Sequence, residues 1–298
     1  MVPAPWSIPR ICGADNDLPA CVALALDSRH AATVALVEPR LVDIGVNLAH
    51  RQLHGQFDEI LERAKRAGVD RIVATGTTLA SSRESADLAD AHDGVFSTAG
   101  VHPHSAKECD DTTIEHLAAL LARPVAVAVG ECGLDYDRNF SPPDVQRRWF
   151  AAQLRLAADL ALPVFLHERA AHADFAAILA EHRGALRGGV VHCFTGTADE
   201  LDAYLALDMH IGITGWICDE RRGTHLRELI PRIPATRLMI ETDAPFLLPR
   251  TMRPRPKSRR NEPAYLGHVL QTVAEAASRP VATVAAETTA TAESFFGI

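Results

Sequence analysis

The sequence predicts an α/β protein in which eight strand–helix units close into a (β/α)8 barrel. From residue 41 onward, short runs rich in valine and isoleucine alternate with longer amphipathic runs. Eight such units fit within roughly 250 residues, the usual size of this barrel, and polar side chains follow several of the apolar runs. An open doubly wound sheet is the alternative, but it would need a glycine-rich phosphate turn after the first strand, and DIGVNL has none.

The same alternation places each element in order along the chain. Apolar runs predict strands over 41–46, 71–76, 95–100, 125–130, 163–167, 189–193, 209–214 and 237–241. Amphipathic runs predict helices over 55–67, 81–92, 112–122, 143–161, 170–182, 198–207, 224–230 and 263–277. In the fourth helix, Trp149, Leu156 and Leu160 belong to an apolar set that recurs near helical spacing. A last helix over 280–295 is expected to pack outside the barrel.

The chain divides into two parts of different character. Residues 41–298 are expected to form one metallohydrolase barrel domain, because the strand–helix alternation continues through them without a break. Residues 1–40 contain several prolines and an interrupted apolar stretch, and they hold no motif. This extension is open to three interpretations: a disordered lead, a capping helix, or a start codon assigned too early.

Composition and charge restrict the functional class. Of the 298 residues, 47% are apolar and 23% are charged, which is typical of a soluble globular protein. The sequence has neither a membrane-spanning apolar segment nor a secretory signal, and its six cysteines are scattered, so we expect a cytoplasmic protein. No feature of the sequence requires a partner subunit, so we expect a monomer. The net charge of −8 argues against sequence-blind adhesion to nucleic acid or membranes, but it allows a small basic site.

Polar side chains stand where several predicted strands end. Glu131, His167 and His192 end the fourth, fifth and sixth strands, while His102 and Asp243 follow the third and eighth. Singly, each could be a hydrogen-bonded core residue or a helix cap. Together they belong to one mouth of the barrel, and the two carboxylates with the two histidines that end strands suit a divalent cation. The cation would also compensate the cost of burying the charge of Glu131.

A basic segment directly follows the eighth strand. Residues 250–260 read RTMRPRPKSRR, in which six of eleven residues are arginine or lysine and none is acidic. Local cations at the mouth of an acidic protein suit a polyanionic substrate. The candidate substrate-binding residues are Arg221, Arg222, Arg259, Arg260 and Trp216, and the tryptophan either stacks on a base or packs a loop. No recognition helix or dense aromatic platform is visible, so sequence specificity is not expected.

Eight segments share a joint pattern with a known family. They are DIGVNL, STAGVHPH, GECGLDYDRNFS, LPVFLHER, VVHCFTGT, IGITGWICDERRG, LMIETDAPFLLPR and SRRNEPA. Together, from about residue 41 to the C-terminus, they resemble the TatD family of metal-dependent deoxyribonucleases. The resemblance implies a barrel of the metal-dependent hydrolase type that acts on single-stranded DNA or RNA as a 3′–5′ exonuclease. It also implies a role in DNA turnover or repair.

By motif position, the resemblance also implies roles for individual residues. Glu131, His167, His192 and Asp243 would be metal ligands, and His102 would contact the scissile phosphate or its water. Asp243 remains open between metal ligand and general base, and with His102 and Glu131 it forms the expected catalytic set. Many relatives carry a His-x-His pair on the first strand.

The first strand departs from that pattern, since Gly45 and Asn47 stand where many relatives have the two histidines. Loss of two imidazoles favours an oxygen-loving cation, Mg²⁺ first, with Mn²⁺ or Zn²⁺ as alternatives.

Three other functions remain open on the sequence. A cyclic amide hydrolase or deaminase would use the same barrel, but such enzymes usually keep the His-x-His pair. A D-aminoacyl-tRNA deacylase would use the same metal and the same basic segment. A non-enzymatic nucleic-acid-binding scaffold is disfavoured, because buried carboxylates without a cation would be destabilising.

Overall fold

A computed structural model describes residues 40–298, in which eight strands alternate with helices as the sequence predicts. The strands are β1 (Leu41–Val46), β2 (Val69–Ala74), β3 (Val95–Ala99), β4 (Ala126–Asp135), β5 (Val164–Arg169), β6 (Gly189–Val191), β7 (His210–Ile213) and β8 (Leu238–Ile240). The helices are α1 (Phe57–Arg66), α2 (Leu79–Ala91), α3 (Thr113–Leu121), α4 (Pro143–Leu160), α5 (His172–His182), α6 (Ala198–Ala206), α7 (Thr224–Leu229), α8 (Leu266–Ala276) and α9 (Val281–Phe296). The predicted extension over 1–40 lies outside the described residues, apart from Arg40.

The eight strands form one parallel sheet in sequential order, β1 to β8, which confirms the predicted (β/α)8 barrel. The seam between β1 and β8 is narrow. A single bridge pairs Val46 with Ala244, and the backbone N–H of Asp243 donates to the carbonyl of Gly45 at 2.9 Å. The backbone N–H of Asn47 donates to the carbonyl of Ala244 at 2.7 Å. The first and last strands therefore meet close to their carboxyl ends.

A buried aspartate reinforces this seam. Asp43, in β1, accepts hydrogen bonds from the backbone N–H of Thr242 at 2.9 Å and from Gly45 N–H at 3.4 Å. Its other carboxyl oxygen lies 2.6 Å from the Thr242 hydroxyl. Burial raises the pKa of Asp43 to about 8, so the group is a neutral acid at neutral pH. A neutral side chain thus joins β1 to the segment after β8 without a buried charge.

Apolar side chains fill the barrel on both sides of the sheet. A cluster drawn from β1, β2, β4, β5, β6 and β8, including Ile44, Val73, Phe165 and Met239, occupies the interior. Phe295 and its neighbours on α9 extend this cluster at the amino ends of the strands. A larger cluster packs the outer face of the sheet against the helices. Across the described part of the chain, no helix is long and apolar enough to cross a membrane.

Strand β4 is longer than the sequence predicts, because it continues past Gly130 to Asp135 and stays buried throughout. Its register with β5 shifts between Val129 and Cys132. Gly130 has a φ of 141°, and a Cβ there would lie 2.2 Å from the carbonyl oxygen of Phe165. The glycine that resembled a strand end is a site of close strand approach, and Glu131 lies within the irregular part of the strand.

Candidate active site

Glu131 is the centre of a cluster of side chains at the carboxyl ends of the strands. The residue is 4% exposed, and three imidazoles surround it. Its Oε1 atom lies 2.8 Å from His192 Nε2, 2.9 Å from His167 Nδ1 and 3.3 Å from His102 Nε2. The candidate ligand atoms of His102, Glu131 and His167 all lie within 4.8 Å of one another. The barrel therefore brings three predicted strand-end histidines to one carboxylate.

The charges in this cluster are strongly coupled. Burial alone would raise the pKa of Glu131, but His192 and His102 hold that pKa well below its usual range. Burial likewise opposes charge on His192, yet the carboxylates of Glu131 and Glu241 raise its pKa well above the usual value. The result is a buried ion pair between Glu131 and His192 in which a cation could replace the imidazole proton.

The tautomer of His102 follows from its hydrogen bonds. Its Nδ1 atom accepts from the backbone N–H of His104 at 3.1 Å, so the proton of the neutral ring is on Nε2. Burial and the nearby His167 lower the pKa of His102 to about 4, although Glu131 opposes this shift. His102 is therefore a neutral hydrogen-bond donor whose N–H points toward the cluster centre.

Asp135 lies on the far side of His167. Its Oδ2 atom is 2.6 Å from His104 Nε2 and 3.6 Å from His167 Nε2. Burial would lower the pKa of His167, but the nearby carboxylates of Asp135 and Glu131 raise it. Among the described residues, His167 Nε2 is one of the few buried side-chain nitrogens without a hydrogen-bond partner. Convergent imidazoles, a buried carboxylate and this orphaned nitrogen fit a site for a divalent cation.

Asp243 completes the predicted set. It lines a cavity of about 400 Å³ together with Glu131, His102, His167 and His192. The Nδ2 group of Asn47 donates to Asp243 Oδ1 at 2.8 Å. Burial raises the pKa of Asp243 to about 7; Glu131 and Glu241 add to the shift, while His192 opposes it. All residues predicted as ligands or catalytic groups therefore face one cavity, and Asn47 positions the last of them.

Glu241 is part of the site although sequence reasoning did not single it out. This fully buried carboxylate accepts a hydrogen bond from Cys193 N–H at 2.5 Å, and its Oε2 atom lies 3.3 Å from His192 Nδ1. A Cβ on Gly45 would lie 2.2 Å from the same Oε2. Gly45 thus leaves the space in which Glu241 orients His192. The sequence signal for Glu241 was that it is a second carboxylate in the apolar segment LMIETDAP.

The predicted residues Trp216 and Arg222 lie together in a neighbouring cavity of about 440 Å³. The Arg222 guanidinium is 4.3 Å from the centre of the Trp216 ring and binds Asp219 Oδ2 at 3.0 Å. Arg169 lies 5.0 Å from the same ring. Arg221 is exposed next to this pair. The guanidinium groups of Arg169 and Arg222 therefore lie over the Trp216 ring. This arrangement lines a cavity next to the cavity of Glu131 and is not part of the cavity of Glu131 itself.

The other two predicted basic residues lie in the segment after β8. Arg259 is exposed. Arg260 donates from Nη1 to the carbonyl of Gln52 at 2.9 Å and to Gln56 Oε1 at 3.1 Å. Because Gln52 lies in the loop that follows β1, the basic segment runs along the same end of the barrel as Glu131.

Comparison with known proteins gives one family. A sequence model of TatD related DNases matches residues 42–297. A protein of Escherichia fergusonii named 3′-5′ ssDNA/RNA exonuclease TatD is 51% identical over 258 residues, which cover 87% of this chain and 99% of that protein. The protein of the same name from Escherichia coli K12 is 50% identical over 258 residues, with the same coverage of both chains.

A solved structure supports the same relationship. The crystal structure of YJJV, a TatD homologue from Escherichia coli K12, superimposes with a TM-score of 0.81 at 28% sequence identity. The match covers 87% of this chain and 99% of that one.

Proposed function

This chain belongs to the TatD family of related DNases, and from that premise we propose that it is a metal-dependent 3′–5′ exonuclease acting on single-stranded DNA or RNA. The observation that carries the proposal is the convergence of His102, His167 and His192 on the buried carboxylate of Glu131 at the mouth of the barrel. Relatives at about half identity are named for this activity and match nearly their whole length.

In this proposal Glu131, His167, His192 and Asp243 would hold a divalent cation, which is Mg²⁺ with Mn²⁺ or Zn²⁺ as alternatives. The two imidazoles that many relatives use for a second metal are missing, because Gly45 and Asn47 stand in their place. Gly45 cannot act as a ligand, and the side chain of Asn47 is hydrogen-bonded to Asp243. Such a cation, when bound, lowers the pKa of water and withdraws charge from phosphate oxygens. Because Asp243 Oδ1 accepts from Asn47, its Oδ2 is left to act as ligand or to accept a proton from the attacking water.

His102 would bind the scissile phosphate. Its Nε2 carries the proton, because Nδ1 accepts from the His104 backbone. Its low pKa keeps the ring neutral, so it would donate a hydrogen bond to a non-bridging oxygen without taking part in proton transfer. The proposed catalytic groups are therefore His102, Glu131 and Asp243.

The substrate strand would extend from the mouth along basic side chains. Arg222, already aligned over Trp216, and Arg221 would contact phosphates on one side. Arg259 and Arg260 would do so on the side of the segment after β8. Contacts of this kind bind any sequence, which suits a nuclease without sequence preference.

Residues 41–298 would act as one catalytic domain, in a monomer located in the cytoplasm. Turnover or repair of DNA is the cellular process that fits this activity. Both statements rest on the family and on the proposed reaction.

The experiment that tests the proposed function uses single-stranded DNA labelled at its 3′ or 5′ end. The purified protein is incubated with Mg²⁺, with Mn²⁺ or with EDTA, and Glu131→Ala is prepared in parallel to reveal any contaminating nuclease. We expect stepwise loss of nucleotides from the 3′ end that stops with EDTA and is absent in the variant. Calorimetric titration with Mg²⁺ and Mn²⁺ should show saturable binding to wild type that Glu131→Ala weakens.

Two results would change the assignment. Metal binding without cleavage of DNA or RNA would reject the nuclease and direct attention to the ester bond of D-aminoacyl-tRNA. No saturable metal binding at all would favour a non-enzymatic scaffold.

A further inference from the structure

Two exposed phenylalanines stand beside the cavity of Glu131. Within residues 40–298 only three large apolar side chains are strongly exposed: Phe140 at 56%, Phe246 at 45% and Leu160 at 38%. Leu160 ends α4, whereas the two phenylalanines lie in the loops that follow β4 and β8 at the mouth. Large apolar groups left in water next to a site indicate a surface that binds something.

Both rings have the same kind of neighbour. The Phe246 ring packs against His50 with centroids 5.1 Å apart at 66°, and Phe140 packs against His104 at 4.7 Å and 68°. His50 and His104 both line the cavity of Glu131. The exposed face of the Phe246 ring is apolar and aromatic, so it suits a nucleobase better than a phosphate.

The loops that carry these rings are firmly held. The N–H of Phe246 donates to the carbonyl of Asp243 at 2.9 Å, and Asn261 anchors the same turn by donating to the carbonyl of Thr242. Next to Phe140, the buried Ser141 donates to the carbonyl of His104 at 2.8 Å. The rings are therefore exposed on ordered supports, which reduces the entropy that a stacking partner would lose on binding.

We propose that Phe246 and Phe140 are stacking platforms for the two nucleobases that flank the scissile phosphate. Phe246 takes the base of the 3′-terminal nucleotide, because it lines the cavity itself. Phe140 takes the next base, because it lies beyond His104 and is more exposed. Bases in a duplex have both faces covered, so these platforms select single strands, and stacking is tolerant of sequence in DNA and RNA alike. This inference rests on the proposed nuclease function.

The test compares Phe246→Leu and Phe140→Leu with wild type, and Leu160→Ala is the matched loss of an exposed apolar side chain at a distance. Substrates are single-stranded oligonucleotides that are intact, abasic at the 3′ end, or abasic one position before it. We expect Phe246→Leu to raise KM for the intact strand about tenfold, with a smaller change in kcat. With wild type, the strand that is abasic at its 3′ end should have a KM about tenfold higher than the intact strand, and Phe246→Leu should not raise that KM further. Phe140→Leu should show the same pattern of KM values with the strand that is abasic one position before the 3′ end. Phe246→Tyr and Phe140→Tyr should each restore the wild-type KM.

A second readout does not need hydrolysis. With EDTA present, 2-aminopurine at the 3′ end should lose fluorescence on binding wild type or Leu160→Ala but not Phe246→Leu. The inference is overturned if the phenylalanine variants weaken intact and abasic strands equally, or if 2-aminopurine is not quenched by wild type. A wild type that quenches 2-aminopurine but cleaves nothing would reject the nuclease function and keep the platforms.

Discussion

The two ends of the barrel both have a cavity lined by histidine, and the larger one lies away from the cluster of Glu131. At the amino ends of the strands, which form the lower end of the barrel, His210 and Arg237 line a cavity of about 530 Å³, called the lower cavity below. The cavity at the mouth has a volume of about 400 Å³. Burial and Arg237 lower the pKa of His210 to about 4, whereas Glu131 raises that of His192. The carboxylates at the lower end are paired with arginines, as Asp208 is with Arg237. A buried carboxylate surrounded by imidazoles, rather than paired with an arginine, therefore distinguishes the candidate site, and cavity size does not.

The largest expected effect comes from removing that carboxylate. Glu131→Gln should lower kcat/KM on single-stranded DNA by about a thousandfold, because it removes several kcal/mol of metal-dependent stabilisation of the transition state. His210→Gln, which changes a half-buried histidine in the other cavity, should leave kcat/KM within about twofold of wild type. Equal losses in the two variants would mean that the ends of the barrel are not functionally different.

A smaller effect is expected from the residue behind the ligand. Glu241→Gln keeps the acceptor for Cys193 N–H but removes the charge beside His192, and should weaken metal binding or activity by about 10- to 100-fold. Glu287→Gln, which changes the partner of Arg279 at the lower cavity, is the matched control and should change neither. Calorimetric metal titration measures the difference, and an unchanged affinity in Glu241→Gln would show that His192 needs no orienting carboxylate.

The seam next to the mouth predicts a dependence of stability on pH. The folded-state pKa of Asp43 is raised from 3.8 to about 8, so its contribution is fully present below pH 3.8 and is lost as pH rises toward 8. Asparagine resembles the neutral acid, so Asp43→Asn should gain over wild type about 1.4 kcal/mol of unfolding free energy for each pH unit in that window. Denaturant unfolding at several pH values checks this, and a difference that does not grow with pH would contradict it.

The smallest effect is expected from single surface cations. Arg259→Ala should raise KM for oligonucleotides by about two- to fivefold at low salt and reduce the slope of log K against log salt by about 1. Arg187→Ala, an arginine at the lower cavity, should alter neither value. Binding measured over a series of salt concentrations separates the two, and a similar loss in both would indicate only a general effect of net charge.

The sequence predicted the order of strands and helices because barrel strands and their helices have different hydrophobic periods. It also predicted the residues that face the cavity, since Glu131, His167 and Asp243 interrupt or follow apolar runs where carboxyl ends must meet. The length of β4 was not predictable in this way. In the sequence, Gly130 resembles the end of a strand. In the structure, a glycine is needed there because the backbone of β5 at Phe165 approaches too closely for a Cβ.

Other features depend on contacts that sequence does not display. Glu241 was overlooked because its partner, His192, is far away in the chain and is reached only through the fold. Phe140 and Phe246 look like ordinary loop residues until their exposure beside the cavity is known. The sequence left Trp216 open between stacking on a base and packing a loop, and in the structure two guanidinium groups lie over its ring.

The seam between β1 and β8 also affects when the protein could become active during synthesis. Asn47 and Asp243, which meet there, are 196 positions apart, so the contact must wait until nearly the whole chain has been made. A ribosome-bound chain that ends before β8 would carry Glu131, His167 and His192 but lack Asp243 and the strand that closes the barrel. Under the proposed function, such a chain would lack one of its proposed catalytic groups, so hydrolysis would begin only after β8 has been made and the barrel has closed.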